Sequence, residues 1–167
     1  MSVEIQPLGE PHVESFRACV DAVARERKFL AQIEAVPLEQ MRRFVQSNVA
    51  HDIAQFVGVD GERVVGWCDI VPGWAYAFAH CGTLGMGVLA AYRGQGIGQR
   101  LMAACIAKAR QRGITRIELQ ARIDNIAAIA LYERMGFVRE GRKRDGMRID
   151  GRYYDMVELA LVFDRAA

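Results

Sequence analysis

Residues 90–104 read "AAYRGQGIGQRLMAA", with Gly94, Gly96 and Gly98 between Arg93 and Arg100 and a helical pattern beginning at the last glycine. A glycine-rich turn feeding a helix suits an anion. The first N–H groups of a helix have no internal partner, and the helix dipole adds positive potential there. Two nucleotide-binding versions of this device do not fit. A phosphate loop needs Lys and then Ser or Thr after its last glycine, where Gln99 and Arg100 stand. A dinucleotide fingerprint needs a third glycine at 99 or 101, where Gln99 and Leu101 stand. Glu118 lies at the distance of a ribose-binding acid, but inside a strand pattern rather than at its end. What remains is Arg93-x-x-Gly96-x-Gly98 joining a strand to a helix.

A second group lies further along. Asn125 and Tyr132 are seven residues apart, two helical turns, so they point the same way with the small Ala128 between them. Asn125 is also suited to cap that helix, and capping and ligand contact can coexist. Upstream, "GTLGMGVL" carries Gly85 and Gly87 in a strand pattern. They fit a bulge, a close ligand approach or a plain flexible strand end.

These groups need elements to hold them. "VEIQPLG" (3–9) reads as a short strand, residues 11 to about 30 as a helix, and about 38–49 as a second helix. "DIAQFVGVDGERVVGWCDIV" is a hairpin around Asp60-Gly61, and 82–89 is a third run after the loop "GWAYAFAH". The glycine turn opens a helix over 98–112 with Leu101, Cys105 and Ala109 on one face, stopped by Gly113. A strand at 116–121, a helix at 125–135 and a final hairpin around Asp150-Gly151 complete the chain. The expected fold is a mixed α/β sheet, parallel in the middle and antiparallel on both sides.

With 167 residues, the chain is expected to form one domain over 1–167. A formal charge of +2 argues for neither nucleic acid nor an anionic membrane as partner. The scattered Cys19, Cys68, Cys81 and Cys105 show no metal spacing and no Cys/His arrangement that suggests an acyl-enzyme. They read as reduced residues of a cytoplasmic protein. No secretion signal or membrane span is expected.

From "LGMGV" through "YRGQGIGQRLM" to "IELQARIDNIAAIALYERMGFVREG", the chain resembles the GNAT superfamily of N-acetyltransferases. The resemblance is strong from about Leu84 to Gly141 and elsewhere rests on element order. It implies a sheet whose central strands splay to hold acetyl-CoA, with helices on both faces. It places the coenzyme A pyrophosphate on the amides of Gln95, Gly96, Ile97, Gly98 and Gln99, with Gly94 shaping the turn. Arg93 and Arg100 then add charge or are simply solvated. Met86, Gly87 and Val88 meet the pantetheine arm as an added strand would, and Asn125, Ala128 and Tyr132 form the opposite wall. Tyr132 matches the tyrosine that protonates the leaving thiolate; otherwise it is a half-buried helix aromatic beside Leu131 and Met135.

The matching fourth strand carries no carboxylate to serve as a base. Glu118 through water, or His80, is the candidate, each also readable as a solvated acid or a loop histidine. At pH 7 freeing a lysine-like amine costs about 4.6 kcal/mol and an α-amine roughly 1.1. The missing base therefore points to a weakly basic amine, on an amino acid or similar small molecule, acetylated directly in a ternary complex. The alternatives are a protein N-terminal α-amine and a non-catalytic coenzyme A-binding module. In this family the acceptor is chosen by the loop between the first two helices and by the final hairpin. That hairpin carries Arg142, Lys143, Arg144, Arg148 and Arg152, suited to a carboxylate-bearing acceptor or to keeping an exposed edge soluble. It is also a candidate homodimer surface. No metal is expected.

Overall fold

The structure is a computed structural model, and it describes residues 2–164. The first residue and last three of the expected 1–167 domain lie outside that range. Seven strands form one sheet: β1 (Glu4–Pro7), β2 (Ala54–Asp60), β3 (Arg63–Pro72), β4 (Cys81–Val88), β5 (Arg116–Arg122), β6 (Val138–Ile149) and β7 (Arg152–Val162). Their order across the sheet is β1-β2-β3-β4-β5-β7-β6. Four helices accompany them: α1 (Val13–Ala24), α2 (Leu38–Ala50), α3 (Ile97–Gln111) and α4 (Ile126–Arg134). Among the described residues no helix is long and apolar enough to cross a membrane.

Helices cover both faces of this mixed sheet, as expected. On one face, Phe16 of α1 meets Trp67 of β3 edge-on at 6.0 Å between centroids. On the other, the Cys105 thiol of α3 donates to the Cys68 carbonyl at 2.9 Å. Leu101, Cys105 and Ala109 are all buried, so the apolar spacing does mark the inward stripe of α3.

The one parallel pairing among the described residues, β4 with β5, runs from Cys81–Arg116 to Thr83–Glu118 and then stops. Beyond that pair the strands diverge, leaving the Leu84–Val88 edge of β4 without a neighbour on that side. The sheet is therefore split at its centre.

Two local expectations are corrected. The β3–β4 register is unbroken from Gly66–Val88 to Pro72–Gly82, so the glycines of β4 mark no bulge there. Gly87 answers to packing instead: a Cβ on it would stand 2.3 Å from Cη2 of Trp67. The first helix stops at Ala24 rather than near Leu30. Arg27 turns left-handed at φ 51°, while the Asp21 carboxylate accepts from the Ala35 amide (2.9 Å) and Arg17 Nε donates to the Val36 carbonyl (2.8 Å). These bonds hold residues 25–36 as an irregular strap, and Phe29 and Leu30, near the end expected for the first helix, face the cavity described next.

Candidate active site

The split opens into a cavity of about 660 Å³ bounded by β4, the glycine turn, α4 and the 25–36 strap. Gly94 and Gly96 have φ of 74° and 75°, and Gly96 is the N-cap of α3. At such angles L side chains are strained, which accounts for glycine at both. Open space surrounds both Cα atoms on the side where a Cβ would project, so a ligand can come within contact distance of the main chain. The free amides at the start of α3 make that place suited to a negatively charged group.

Met86, Gly87 and Val88 line the cavity with Arg93, Gly94, Gly96, Ile97, Gly98 and Gln99, as do Asn125, Ala128 and Tyr132. The Asn125 side chain accepts from the Ala128 amide at 3.4 Å, so it caps α4 as expected. Tyr132 is 8% exposed. Burial first, then the nearby Cys68 thiol, push its phenol well above the ordinary value. Such a phenol keeps its proton. The same dry surroundings raise the basicity of a thiolate formed beside it, so environment brings donor and acceptor closer than their intrinsic acidities suggest.

Other expected residues are engaged by protein partners or lie outside the lining. Arg93 is engaged: its guanidinium meets Glu26 at 2.6 Å and Nε donates to the Val88 carbonyl at 2.9 Å. Arg100 reaches the Val3 carbonyl at 2.9 Å, and the Gln95 amide donates to the Ala91 carbonyl at 3.1 Å; neither side chain lines the cavity. Glu118 also stays outside, held by Arg116 at 3.2 Å, while Arg116 turns its other edge to Glu140. His80 stands outside as well. Its Nε2 lies 3.4 Å from the Cys81 sulfur, a Cys–His contact between neighbours in sequence. That pair is remote from the cavity lining and offers no acyl-enzyme there.

The structure adds residues that sequence patterns did not single out. Arg122, 9% exposed, makes a bidentate pair with Asp124 and donates to the Lys28 carbonyl at 2.8 Å. Its guanidinium stacks on Tyr154 (3.9 Å) and Phe29 (4.7 Å). One side chain thus ties the strap to β5 and β7. A second tie joins the strap to the β6–β7 turn, where Arg27 pairs with Asp150 through two hydrogen bonds. Nothing local in the sequence marks either tie. Asp69, by contrast, had a visible signal, as the one acid in the apolar run "VVGWCDIV".

Residues 18–137 match the acetyltransferase (GNAT) family. The chain is 36% identical over 112 residues to N-alpha-acetyltransferase 30 of Schizosaccharomyces pombe, covering 62% of this chain and 71% of that protein. It is 44% identical over 66 residues to N-alpha-acetyltransferase RimI of Mycobacterium tuberculosis, spanning 40% of each. In three dimensions it superposes on a ribosomal-protein-alanine N-acetyltransferase from Brucella melitensis with a TM-score of 0.89 at 23% identity, covering 96% of this chain and 99% of that one. At that identity the likeness is one of fold.

Proposed function

The chain belongs to the GNAT family of acetyltransferases, and we propose that it carries the acetyl group of acetyl-CoA directly onto the α-amine of a small molecule, in one domain spanning 1–167. Acetyl-CoA is the co-substrate of its family. In this reading the pyrophosphate rests on the amides of the glycine turn. The pantetheine arm runs along Met86, Gly87 and Val88, and Tyr132 protonates the departing thiolate. Arg93, held by Glu26, acts as a brace under the turn rather than as a phosphate ligand.

The observation that carries the small-acceptor reading is the double tie of the strap. A polypeptide entering between the strap and the final hairpin would have to part Arg27 from Asp150 and pass the Arg122 stack. A free amino acid or similar amine needs no such opening. The second reading, favoured by the names of the two relatives, is the α-amine at a polypeptide N-terminus.

The test has two arms. Acetyl-CoA at about 100 times its dissociation constant should add roughly 2.7 kcal/mol to thermal stability, while ATP and NADH should add nothing. Release of coenzyme A is then followed with the twenty amino acids, their amides, and hexapeptides beginning with the same residues. Faster acetylation of the free amines supports the proposal. A hexapeptide preferred over its own first amino acid would replace it with the second reading.

A further inference from the structure

Asp69 lies on β3 directly opposite Gly85 of β4, and antiparallel partners share a face of the sheet. Its carboxylate leans towards β4, behind the cavity lining: Oδ1 is 3.3 Å from the position a Cβ on Gly85 would take. Gly85 lines the cavity two residues past the last β4–β5 pair, at the mouth of the split. The neighbouring pair, Cys68 with Met86, faces the opposite side, towards α3 and α4, where Cys68 acts on Tyr132. At one level of the sheet, then, a phenol stands on one face and a carboxylate on the other, with the split between them.

Asp69 is also free. Among the described residues it has no ion pair or hydrogen bond, and burial pushes its carboxyl up to about 7. The groups facing it are few. Gln55 of β2 is its other cross-strand partner, and its Nε2 is buried without an acceptor. On the same face, Glu118 of β5 stands one step further along, engaged by Arg116. α1 and α2 bury apolar residues and Cys19, whose thiol burial pushes up to about 12.

We propose that Asp69 takes the proton from the acceptor amine, reaching it over Gly85, whose missing side chain is the aperture between the carboxylate and the thioester. The inference rests on the acetyl-transfer reading. The ammonium gives one proton to the Asp69 carboxylate, directly or through a water donated to by Gln55 Nε2. The freed nitrogen lone pair forms the C–N bond, and the C–S bond breaks. The leaving sulfur takes the Tyr132 proton, and the second proton shed by nitrogen restores the phenol. Glu118 is not required.

The test compares wild type with Asp69→Asn and Gly85→Ala, using the best amine found among the amino acids and their amides. Asp69→Asn should bind acetyl-CoA as wild type does but lose about 10²- to 10³-fold in kcat/KM for the amine. The acidic limb of the wild-type pH profile, with its midpoint near 7, should give way to a limb set by the amine's own pKa. Gly85→Ala should lower kcat about tenfold and leave acetyl-CoA affinity intact. Unchanged turnover in Asp69→Asn overturns the proposal while leaving acetyl transfer standing. Wild type that neither binds acetyl-CoA nor releases coenzyme A overturns the parent reading instead. A measurement that needs no acceptor decides independently: the Asp69 carboxyl, assigned by ¹³C NMR against Asp69→Asn, should titrate near 7. A midpoint near 4 rules Asp69 out.

Discussion

One wall of the cavity, made from both edges of the split, offers mainly main chain and small side chains: Met86 to Val88 on β4, the turn at Gly94 to Gly98, and Ala128 on α4. The strap side is held by guanidinium groups and rings: Arg122 and Phe29 line the cavity, Tyr154 backs Arg122 from outside the lining, and Arg27 pairs with Asp150, also outside it. The first wall is fixed by dihedral angles and needs only the right residues in one short stretch. The second is assembled by contacts between positions 94 and 123 residues apart. A cofactor common to a family suits the first construction, and an acceptor particular to one protein suits the second.

The largest effect is expected where the walls meet. Tyr132→Phe removes one hydroxyl and should lower kcat by 10²- to 10⁴-fold, the usual range for a general acid, with acetyl-CoA affinity nearly unchanged. Unchanged kcat would strip the first wall of its chemical role and leave it a binding surface.

Asp69 supplies the next contrast, this time in stability. Its carboxyl ionises near 3.9 when unfolded and near 7 when folded, so folding takes up a proton between those values. Wild-type stability relative to Asp69→Asn should therefore be undiminished below about pH 4, fall from pH 4 to 7, and stay low above. A three-unit shift corresponds to about 4 kcal/mol at most. Parallel melting curves of the two proteins at pH 5 and pH 8 read this directly, and curves that stay parallel would place the carboxyl in water.

Gly96→Val tests the first wall alone. It adds strain of about 1–2 kcal/mol at φ 75° and puts a branched carbon where the main chain must be bare. Acetyl-CoA should bind about ten- to a hundredfold more weakly by calorimetry, with no new discrimination among amines. This wall was legible in the sequence because glycines at 94, 96 and 98 and the Asn125–Tyr132 spacing are local signals tied to backbone geometry. The strap was not. The helical pattern runs on towards residue 30, while in the structure Arg27 turns left-handed and the bonds of Asp21 and Arg17 to residues 35 and 36 hold the strap out of the helix. Arg93 shows the same limit. Its motif position was readable, but the carboxylate it pairs with sits 67 residues away.

Arg122→Ala tests the second wall. It removes the stack on Phe29 and Tyr154 and the bond to the Lys28 carbonyl, and leaves Asp124 unpaired at the surface. The strap should loosen, raising KM for the amine about tenfold while KM for acetyl-CoA stays within twofold. Equal changes in both constants would mean that the two walls act as one unit.

The smallest expected effect is the most specific. Arg27 and Asp150 are both exposed, so water and salt screen their pair and it adds little to stability. Arg27→Ser should leave the melting temperature and the turnover of free amines almost unchanged. It does remove the outer tie between the strap and the β6–β7 turn, and a hexapeptide should then be acetylated a few-fold faster relative to its own first amino acid. The ratio of the two rates is the quantity to follow, because a general loss of activity cancels from it. A ratio that does not move would shift the whole of acceptor exclusion onto the inner tie, Arg122, which holds the strap at Lys28, one residue further along the chain.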